Sequence, residues 1–299
     1  MTKAWIAVDW GTTHLRAYLM GANGPLAEAT SDDGMGRLTR DAYEPALLHL
    51  INPWLTNGNI TQIIACGMVG SRQGWFEAPY RTTPCTPLDP ASLVTVPTQD
   101  PRLNVRLVPG LRQNIPADVM RGEETQIAGV LALHPQFDGV LCLPGTHSKW
   151  VQISAGEVVS FQTYMTGELF ALLSEHSVLR HSMLTDGWDE QSFINAVSDA
   201  ISRPEKIAAR LFALRAEALI AGLQPGPARA RLSGLLIGIE LAAAKPYWLG
   251  QNVILVGAEA LSGTYARALS QQGVTARQLP AAACTIAGLA RAQSAKISA

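Results

Sequence analysis

The chain lacks the cysteine patterns that would staple or metallate a small fold. Its four cysteines, Cys66, Cys85, Cys142 and Cys284, lie far apart and form no CxxC pair, which excludes a zinc ribbon and a disulfide framework. An excess of either charge is missing too, since 23 Lys+Arg against 24 Asp+Glu leave a formal net charge of -1. Without a basic run to neutralise phosphates, nucleic acid is not an expected partner. Long apolar runs are also absent. The nearest approach, Leu232 to Ala244, contains Glu240 and stops at Lys245 and Pro246, short of the ~20 residues a membrane-spanning helix needs, so no membrane association is expected. The apolar run interrupted by Asp9 is too short for a secretory leader. No G-x-x-x-x-G-K-[ST] occurs, which excludes a P-loop, and no G-x-G-x-x-G follows the first apolar run, against a dinucleotide fold. These absences together predict a reduced, soluble, cytoplasmic protein.

What is present is enough apolar residue for a large core. Of 299 residues 47% are hydrophobic, a length that fits two ordinary domains. Apolar runs at 4–10 (AWIAVDW) and 15–20 (LRAYLM) predict two strands, with a third over Leu26 to Thr30 after a turn at Gly21, Asn23 and Gly24. Leu47, Leu48, Leu50, Ile51 and Leu55 recur at helical spacing, and Pro53 should end that helix. A buried strand then enters the loop Gly67-Met68-Val69-Gly70-Ser71-Arg72. Residues 79–118 are rich in proline and read as an extended insertion holding one or two short strands, LVTV and NVRLV. From Met120 the order becomes helix, strand (GVLCL), loop, strand (WVQI), turn, strand (VVSFQTY), long helices, and a last strand in QNVILVGAEAL. A small-residue helix closes the chain. The second half therefore loosely repeats the first.

Four segments carry candidate chemistry. Asp9-Trp10-Gly11-Thr12-Thr13 ends the first strand, and a Gly-Thr-Thr turn offers backbone N–H groups and hydroxyls that suit phosphate oxygens. A carboxylate beside such a turn suits a hydrated magnesium ion, which keeps its waters and takes few protein ligands. An ordinary hairpin turn has the same local form. Leu-Pro-Gly145-Thr146-His147-Ser148-Lys149-Trp is a second such turn between two strands, and the pair implies two loops gripping a polyphosphate. Arg121-Gly122-Glu123-Glu124 opens a helix. Phosphoryl transfer to an alcohol calls for a carboxylate that accepts the hydroxyl proton, although acidic residues also favour a helix start through its dipole. Gly257-Ala258-Glu259 follows a strand, and a glycine there lets a nucleoside lie close to backbone.

These motifs resemble a known family. IAVDWGTTHLRAYL is similar to the first phosphate motif of the actin-like sugar kinases. RGEETQIAG, LPGTHSKW, FQTYMTGELFALL and ILVGAEAL, in that order, resemble the 2-dehydro-3-deoxygalactonokinase family. The resemblance implies an α/β protein of two ribonuclease-H-like, actin-like ATPase domains closing on ATP, Mg²⁺ and a 2-keto-3-deoxy sugar acid, which is phosphorylated at its 6-hydroxyl. By it, residues 1–115 form an N-terminal domain completed by the C-terminal helix 281–299, and residues 116–280 form the second. Asp9 takes the Mg²⁺-organising role. Gly11, Thr12 and Thr13 form the first phosphate loop, Gly145, Thr146, His147, Ser148 and Lys149 the second, and Gly257 serves the adenosine. Gly122-Glu123 stands where related kinases have Gly-Asp with a catalytic aspartate. The longer side chain and its acidic neighbour leave Glu123, Glu124 and Asp118 in contention, with Glu123 the first choice.

An acid substrate needs a cation with fork geometry. Arg72 is the first choice, Arg121 the second; pairing of Arg72 with Glu77 is the bland reading. Ser71 and Trp10 are expected beside the substrate, with Trp75 alongside, although tryptophans serve equally as core. His14 and His147 are expected to hold their own turns. The rivals are a kinase of an epimeric acid such as 2-dehydro-3-deoxygluconate, an actin-like ATPase without a metabolite acceptor, and a sugar-sensing regulator, for whose DNA-binding helices no segment precedes Trp5. A homodimer remains an open expectation.

Overall fold

The computed structural model describes residues 4–183 and 187–294; residues 295–299 of the expected closing helix lie outside them. The chain forms β1 (Trp5–Trp10), β2 (Leu15–Gly21), β3 (Gly24–Ser31), α1 (Tyr43–Ile51), β4 (Thr61–Gly67), β5 (Arg81–Thr82), β6 (Val94–Val96), β7 (Leu103–Leu107), β8 (Leu111–Gln113), β9 (Asp118–Met120) and α2 (Glu123–Leu133). It continues through β10 (Gly139–Leu143), β11 (Ser148–Ser154), β12 (Glu157–Tyr164), α3 (Thr166–Glu175), α4 (Glu190–Ser202), α5 (Ile207–Ile220), α6 (Pro225–Ala243) and α7 (Lys245–Trp248). It ends with β13 (Val253–Gly257), α8 (Glu259–Ser270), β14 (Arg277–Pro280) and α9 (Ala281–Ser294). Two compact units result. Unit one holds residues up to 137, 154–160 and those from 281 onward; unit two holds 138–153 and 161–280.

Each unit carries one main sheet, and the two sheets share a topology. In unit one the order is β3-β2-β1-β4-β7-β6, with β1, β2 and β3 antiparallel and β4 and β7 parallel to β1. The second sheet runs β12-β11-β10-β13-β14, with β11 antiparallel to β10 and β13 and β14 parallel to it. Position for position, β3-β2-β1-β4-β7 matches β12-β11-β10-β13-β14 in strand direction, and unit one adds β6 antiparallel to β7 at its edge.

β1 has apolar residues on both faces because both faces of its sheet are covered. Ile6, Val8 and Trp10 pack with Tyr43, Leu47 and Ile51 of α1, whereas Trp5 and Ala7 pack with Cys66, Ala128 of α2, and Leu289 and Ala292 of α9. Fully burying each large apolar side chain contributes ~1.5–3 kcal/mol. By the two-residue period of a strand, Asp9 shares the face of Trp5 and Ala7, on the side of α2 and α9. Those two helices touch backbone to backbone. A Cβ on Gly129 would stand 1.8 Å from the Cys284 carbonyl oxygen, and one on Gly288 would stand 1.9 Å from that of Thr125.

Two expectations require correction. Residues 116–137 were assigned to the second domain, yet they belong to unit one, because α2 crosses α9 through that glycine contact and covers β1 and β4. Residues 79–118 hold both short strands expected of them, as β6 and β7, but they are not an insertion. β7 within them pairs in parallel with β4 as the fifth strand, and Leu103, Val105 and Leu107 are core. The rest of the stretch supplies β6 and a separate small sheet, β5-β8-β9.

Candidate active site

Unit one brings its polar groups to the carboxyl ends of β1 and β4. Asp9 is half-buried there, and its Oδ2 lies 3.5 Å from Arg16 Nη1. Burial raises the Asp9 carboxyl from its ordinary value, against the opposing pull of Arg16. Beyond it the turn 11–14 is closed by Gly11 N–H donating to the His14 carbonyl at 3.0 Å. The segment Gly34 to Gly36 straps it from behind: Met35 N–H donates to the Gly11 carbonyl and Gly36 N–H to that of Thr12, at 3.0 and 2.9 Å. His14 meets Asp32 at 3.1 Å, which holds the turn. Thr12 and Thr13 are exposed.

The start of α2 reaches the same strand ends through two glycines. Gly67 has φ 91° and lies so close to β1 that a Cβ would be 2.7 Å from the Trp10 carbonyl oxygen; Gly122, at φ 105°, has its Cβ direction 3.3 Å from Gly67 Cα. Side chains at either position would be strained by the positive φ alone. This contact presents Gly122-Glu123-Glu124 beside the end of β4. Glu123 is half-buried and its Oε2 accepts the Arg121 N–H at 3.0 Å. Glu124 is wholly buried. Its Oε2 accepts the Gly122 N–H at 2.6 Å and its Oε1 the Thr125 hydroxyl at 3.0 Å. Burial, reinforced by the neighbouring Glu123, pushes the Glu124 carboxyl up to about 7. Asp118 stands apart, on β9, where its Oδ1 accepts the Val119 N–H.

The loop after β4 disposes of the other candidates differently. Trp10 is 0% exposed. Its ring packs against Tyr43 and Trp75, and its indole N–H donates to the Asp33 carbonyl at 2.7 Å. Trp10 therefore shapes the first turn from within the core and presents no face to a sugar. Ser71 is buried with its hydroxyl on Met35 Sδ at 3.2 Å, so it too faces inward. Arg72 is exposed; Arg40 holds its carbonyl at 2.9 Å, and its guanidinium makes no pair with Glu77. Arg121 is buried over the Tyr80 ring, 4.4 Å from its centroid, with Nη2 donating to the Ala78 carbonyl at 2.8 Å. Its Nε and Nη1 have no hydrogen-bond partner.

Unit two builds its turn at the end of β10. Gly145 borders open space and Thr146 is exposed. α3 starts against this turn: a Cβ on Gly167 would stand 2.3 Å from the Gly145 carbonyl oxygen, and Glu168 N–H donates to that of Thr146 at 2.9 Å. The exposed His147 meets Glu168 Oε2 at 2.6 Å. Ser148 and Lys149 need correction as phosphate ligands, since both are buried on β11. The Ser148 hydroxyl lies 2.8 Å from that of Tyr265, and Lys149 Nζ donates to the His147 carbonyl at 3.3 Å. Gly257, at the end of β13, abuts the same turn, with its Cβ direction 3.4 Å from the Pro144 carbonyl oxygen. Between the turn and α8 opens a cavity of about 360 Å³, whose walls include Gly145, Gly167, Phe170, Arg229, Ala260 and Thr264.

Among the described residues, no group of three or more His, Cys, Asp or Glu side chains forms a metal cage. A hydrated magnesium ion needs none, because one or two carboxylates suffice when substrate phosphates and waters complete the shell. Asp9 fits that demand, being a half-buried carboxylate whose cationic neighbour Arg16 is at the limit of contact.

The sequence matches the family described as 2-keto-3-deoxy-galactonokinase over residues 9–292. The chain belongs to that family. Among its relatives, a Rhizobium meliloti (strain 1021) protein named as the 2-dehydro-3-deoxygalactonokinase DgoK1 is 38% identical, over 98% of each chain. The 2-dehydro-3-deoxygalactonokinase of Escherichia coli (strain K12) is 34% identical over 91% of each. A crystal structure from Sinorhizobium meliloti, described as a protein of the same kind, superimposes with a TM-score of 0.92 at 36% identity, over 99% of this chain and all of the other. The (R)-2-hydroxyglutaryl-CoA dehydratase component A of Acidaminococcus fermentans, at 12% identity and TM-score 0.54, shares the fold alone. Membership of the galactonokinase family makes the chain a kinase.

Some residues of this kinase's candidate site escaped sequence reasoning. Thr166, Gly167 and Glu168 stand in the segment FQTYMTGELFALL, which carried the family resemblance but no assigned role. Arg229 and Phe170, which stack with Arg229 Cζ 5.0 Å from the ring centroid, gave no signal at all, because long-range packing brings them to one wall.

Proposed function

We propose that the protein transfers the γ-phosphoryl group of ATP to the 6-hydroxyl of 2-dehydro-3-deoxy-D-galactonate, giving ADP, the 6-phospho acid and a proton. The observation that carries the reading is the pairing of two glycine-hydroxyl turns, 11–13 and 145–146, at matching places in two sheets of the same topology. In unit one, the exposed Thr12 and Thr13 and the backbone of Gly11 receive phosphate oxygens. In unit two, Gly145 and Thr146 do the same, with His147 fixed by Glu168 and the nucleoside lying in the cavity beside Gly257. Asp9 would hold Mg²⁺, which when bound neutralises charge on the β- and γ-phosphates.

Glu123 is assigned as the base that accepts the proton of the 6-hydroxyl. Burial supports it over its neighbour, because a wholly buried Glu124 has no surface to offer a substrate. The N–H bond from Arg121 fixes the Glu123 carboxylate at the helix start, and positioning matters more than base strength when the transition state is loose. Arg72, whose exposed guanidinium is within reach of solvent, is assigned to the carboxylate of the acid. Arg121 backs the same loop from inside.

The test is ADP release over a panel that includes the galactonate- and gluconate-derived 2-keto-3-deoxy acids. The galactonate-derived acid should give the largest kcat/KM, and Glu123→Gln should lower its kcat by ~10²–10⁴-fold. ADP release that no acid stimulates would overturn the reading.

A further inference from the structure

α6 is apolar along much of its length, and Leu235, Leu236, Ile237 and Leu241 are all buried. Glu240 sits among them with 1% of its surface exposed. A carboxylate in such a place is unfavourable unless its oxygens are satisfied by donors. Here they are: Trp150 Nε1 donates to Oε1 at 2.8 Å and the Tyr265 hydroxyl to Oε2 at 2.7 Å. The hydroxyls of Thr166 and Ser148 complete the set. The Ser148 hydroxyl also lies 2.8 Å from that of Tyr265, which ties β11 to α8 within the same network.

Each of these donors adjoins a group that the mechanism uses. Ser148 directly follows His147 of the second turn, and Trp150 lies two residues further along β11. Thr166 begins α3, whose next residues, Gly167 and Glu168, pack on Gly145 and bind the Thr146 carbonyl. Tyr265 lies on α8 and lines the cavity beside Thr264. Four donors from three elements thus converge on one carboxylate, while Glu240 itself lines neither the turn nor the cavity. A hydrophobic side chain of similar volume would fill the space equally well, but it would not fix direction. Hydrogen bonds do, and buried networks that satisfy every member specify a single arrangement.

We propose that Glu240 is a positioning residue for the nucleotide: it locks β11, α3 and α8 in the relative placement that shapes the second turn and the cavity behind it. The proposal rests on the reading of unit two as the ATP half, and it predicts a loss specific to nucleotide. Glutamine at 240 keeps one acceptor for Trp150 but turns an amide donor toward Tyr265, which must reverse its own bond. In metal sites, loss of a supporting partner lowers affinity or activity by about 10–100-fold, and the same scale is taken for this network.

The experiment measures Kd for ATP and for a non-hydrolysable ATP analogue on the full chain, alongside KM for ATP and for the sugar acid. Glu240→Gln should raise both nucleotide Kd values and KM for ATP by about tenfold or more, with KM for the acid changed less than about twofold. Tyr265→Phe and Thr166→Val, each removing one donor, should raise the nucleotide Kd to a smaller extent and combine non-additively with Glu240→Gln. These two variants keep the proposal open to refutation should Glu240→Gln fail to fold. A lower melting temperature with unchanged nucleotide Kd would reduce Glu240 to structural glue and overturn the proposal, as would equal losses for nucleotide and acid. A wild-type chain that binds no ATP analogue would instead refute the reading of unit two.

Discussion

Replacing Glu124 by glutamine isolates the energetic consequence of burying an acid at the start of α2. The folded-state carboxyl is pushed from 4.5 up to about 7 by burial and by Glu123 beside it. A carboxyl whose folded pKa is raised binds its proton more tightly when folded. Its contribution is therefore fully present below pH 4.5, is lost as pH rises, and is gone above about 7. The interval of about 2.5 pH units, at ~1.36 kcal/mol each, makes about 3 kcal/mol of differential stability. Glutamine resembles the protonated form: its carbonyl can accept the Gly122 N–H, and its amide can donate to the Thr125 hydroxyl. The variant should match the wild type near pH 4.5 and exceed it by up to about 3 kcal/mol at pH 8. Urea unfolding of both proteins, side by side from pH 4.5 to 8.5, gives the difference directly, because the other titrating groups are common to both. A difference curve that is flat across this window would show that Glu124 is ionised throughout, and the argument from burial would fail.

Asp9→Asn should leave the fold intact and lower kcat by ~10²-fold or more, since an amide cannot hold a hydrated cation electrostatically; normal kcat at ordinary magnesium would remove Asp9 from the mechanism. Arg72→Lys should raise KM for the acid and leave KM for ATP unchanged, because an ammonium cannot match a carboxylate with two parallel bonds; an unchanged KM for the acid would shift that role to Arg121. Gly288→Ala places a methyl 1.9 Å from the Thr125 carbonyl oxygen and should destabilise unit one by about 3 kcal/mol, read as a thermal midpoint lower by roughly 5–10 °C. An unshifted midpoint would mean that the two helices separate freely.

Local pattern accounts for what was legible in the sequence. The run into Gly11-Thr12-Thr13, its counterpart before Gly145, and the helix opening at Gly122 each declare themselves within a dozen residues, and all three form as expected. The failures come from distance along the chain. Ser148 looks like a phosphate ligand until Tyr265 claims its hydroxyl from the interior. Leu103 to Leu107 look like part of a proline-rich excursion until β4 pairs with them. Glu240 reads only as a flaw in an apolar stretch, because its donors Trp150 and Tyr265 lie far away in sequence. Trp10 illustrates an ambiguity that residue type leaves open, since an indole serves a ligand face or a core equally well and packing around Tyr43 and Trp75 decides it.

The glycine contact between α2 and α9 sets a timetable for synthesis. α2 emerges from the ribosome early and carries Glu123 at its start, yet the helix that covers it is made after every strand and helix of unit two. A nascent chain with unit two already out still exposes the α9-facing side of α2, along with Trp5 and Ala7 of the same core face. Unit one therefore closes last although it begins first. Chains stalled before residue 281 should display this uncovered apolar surface to chaperones, and the helix that carries Glu123 should gain protection from proteolysis only when α9 is released.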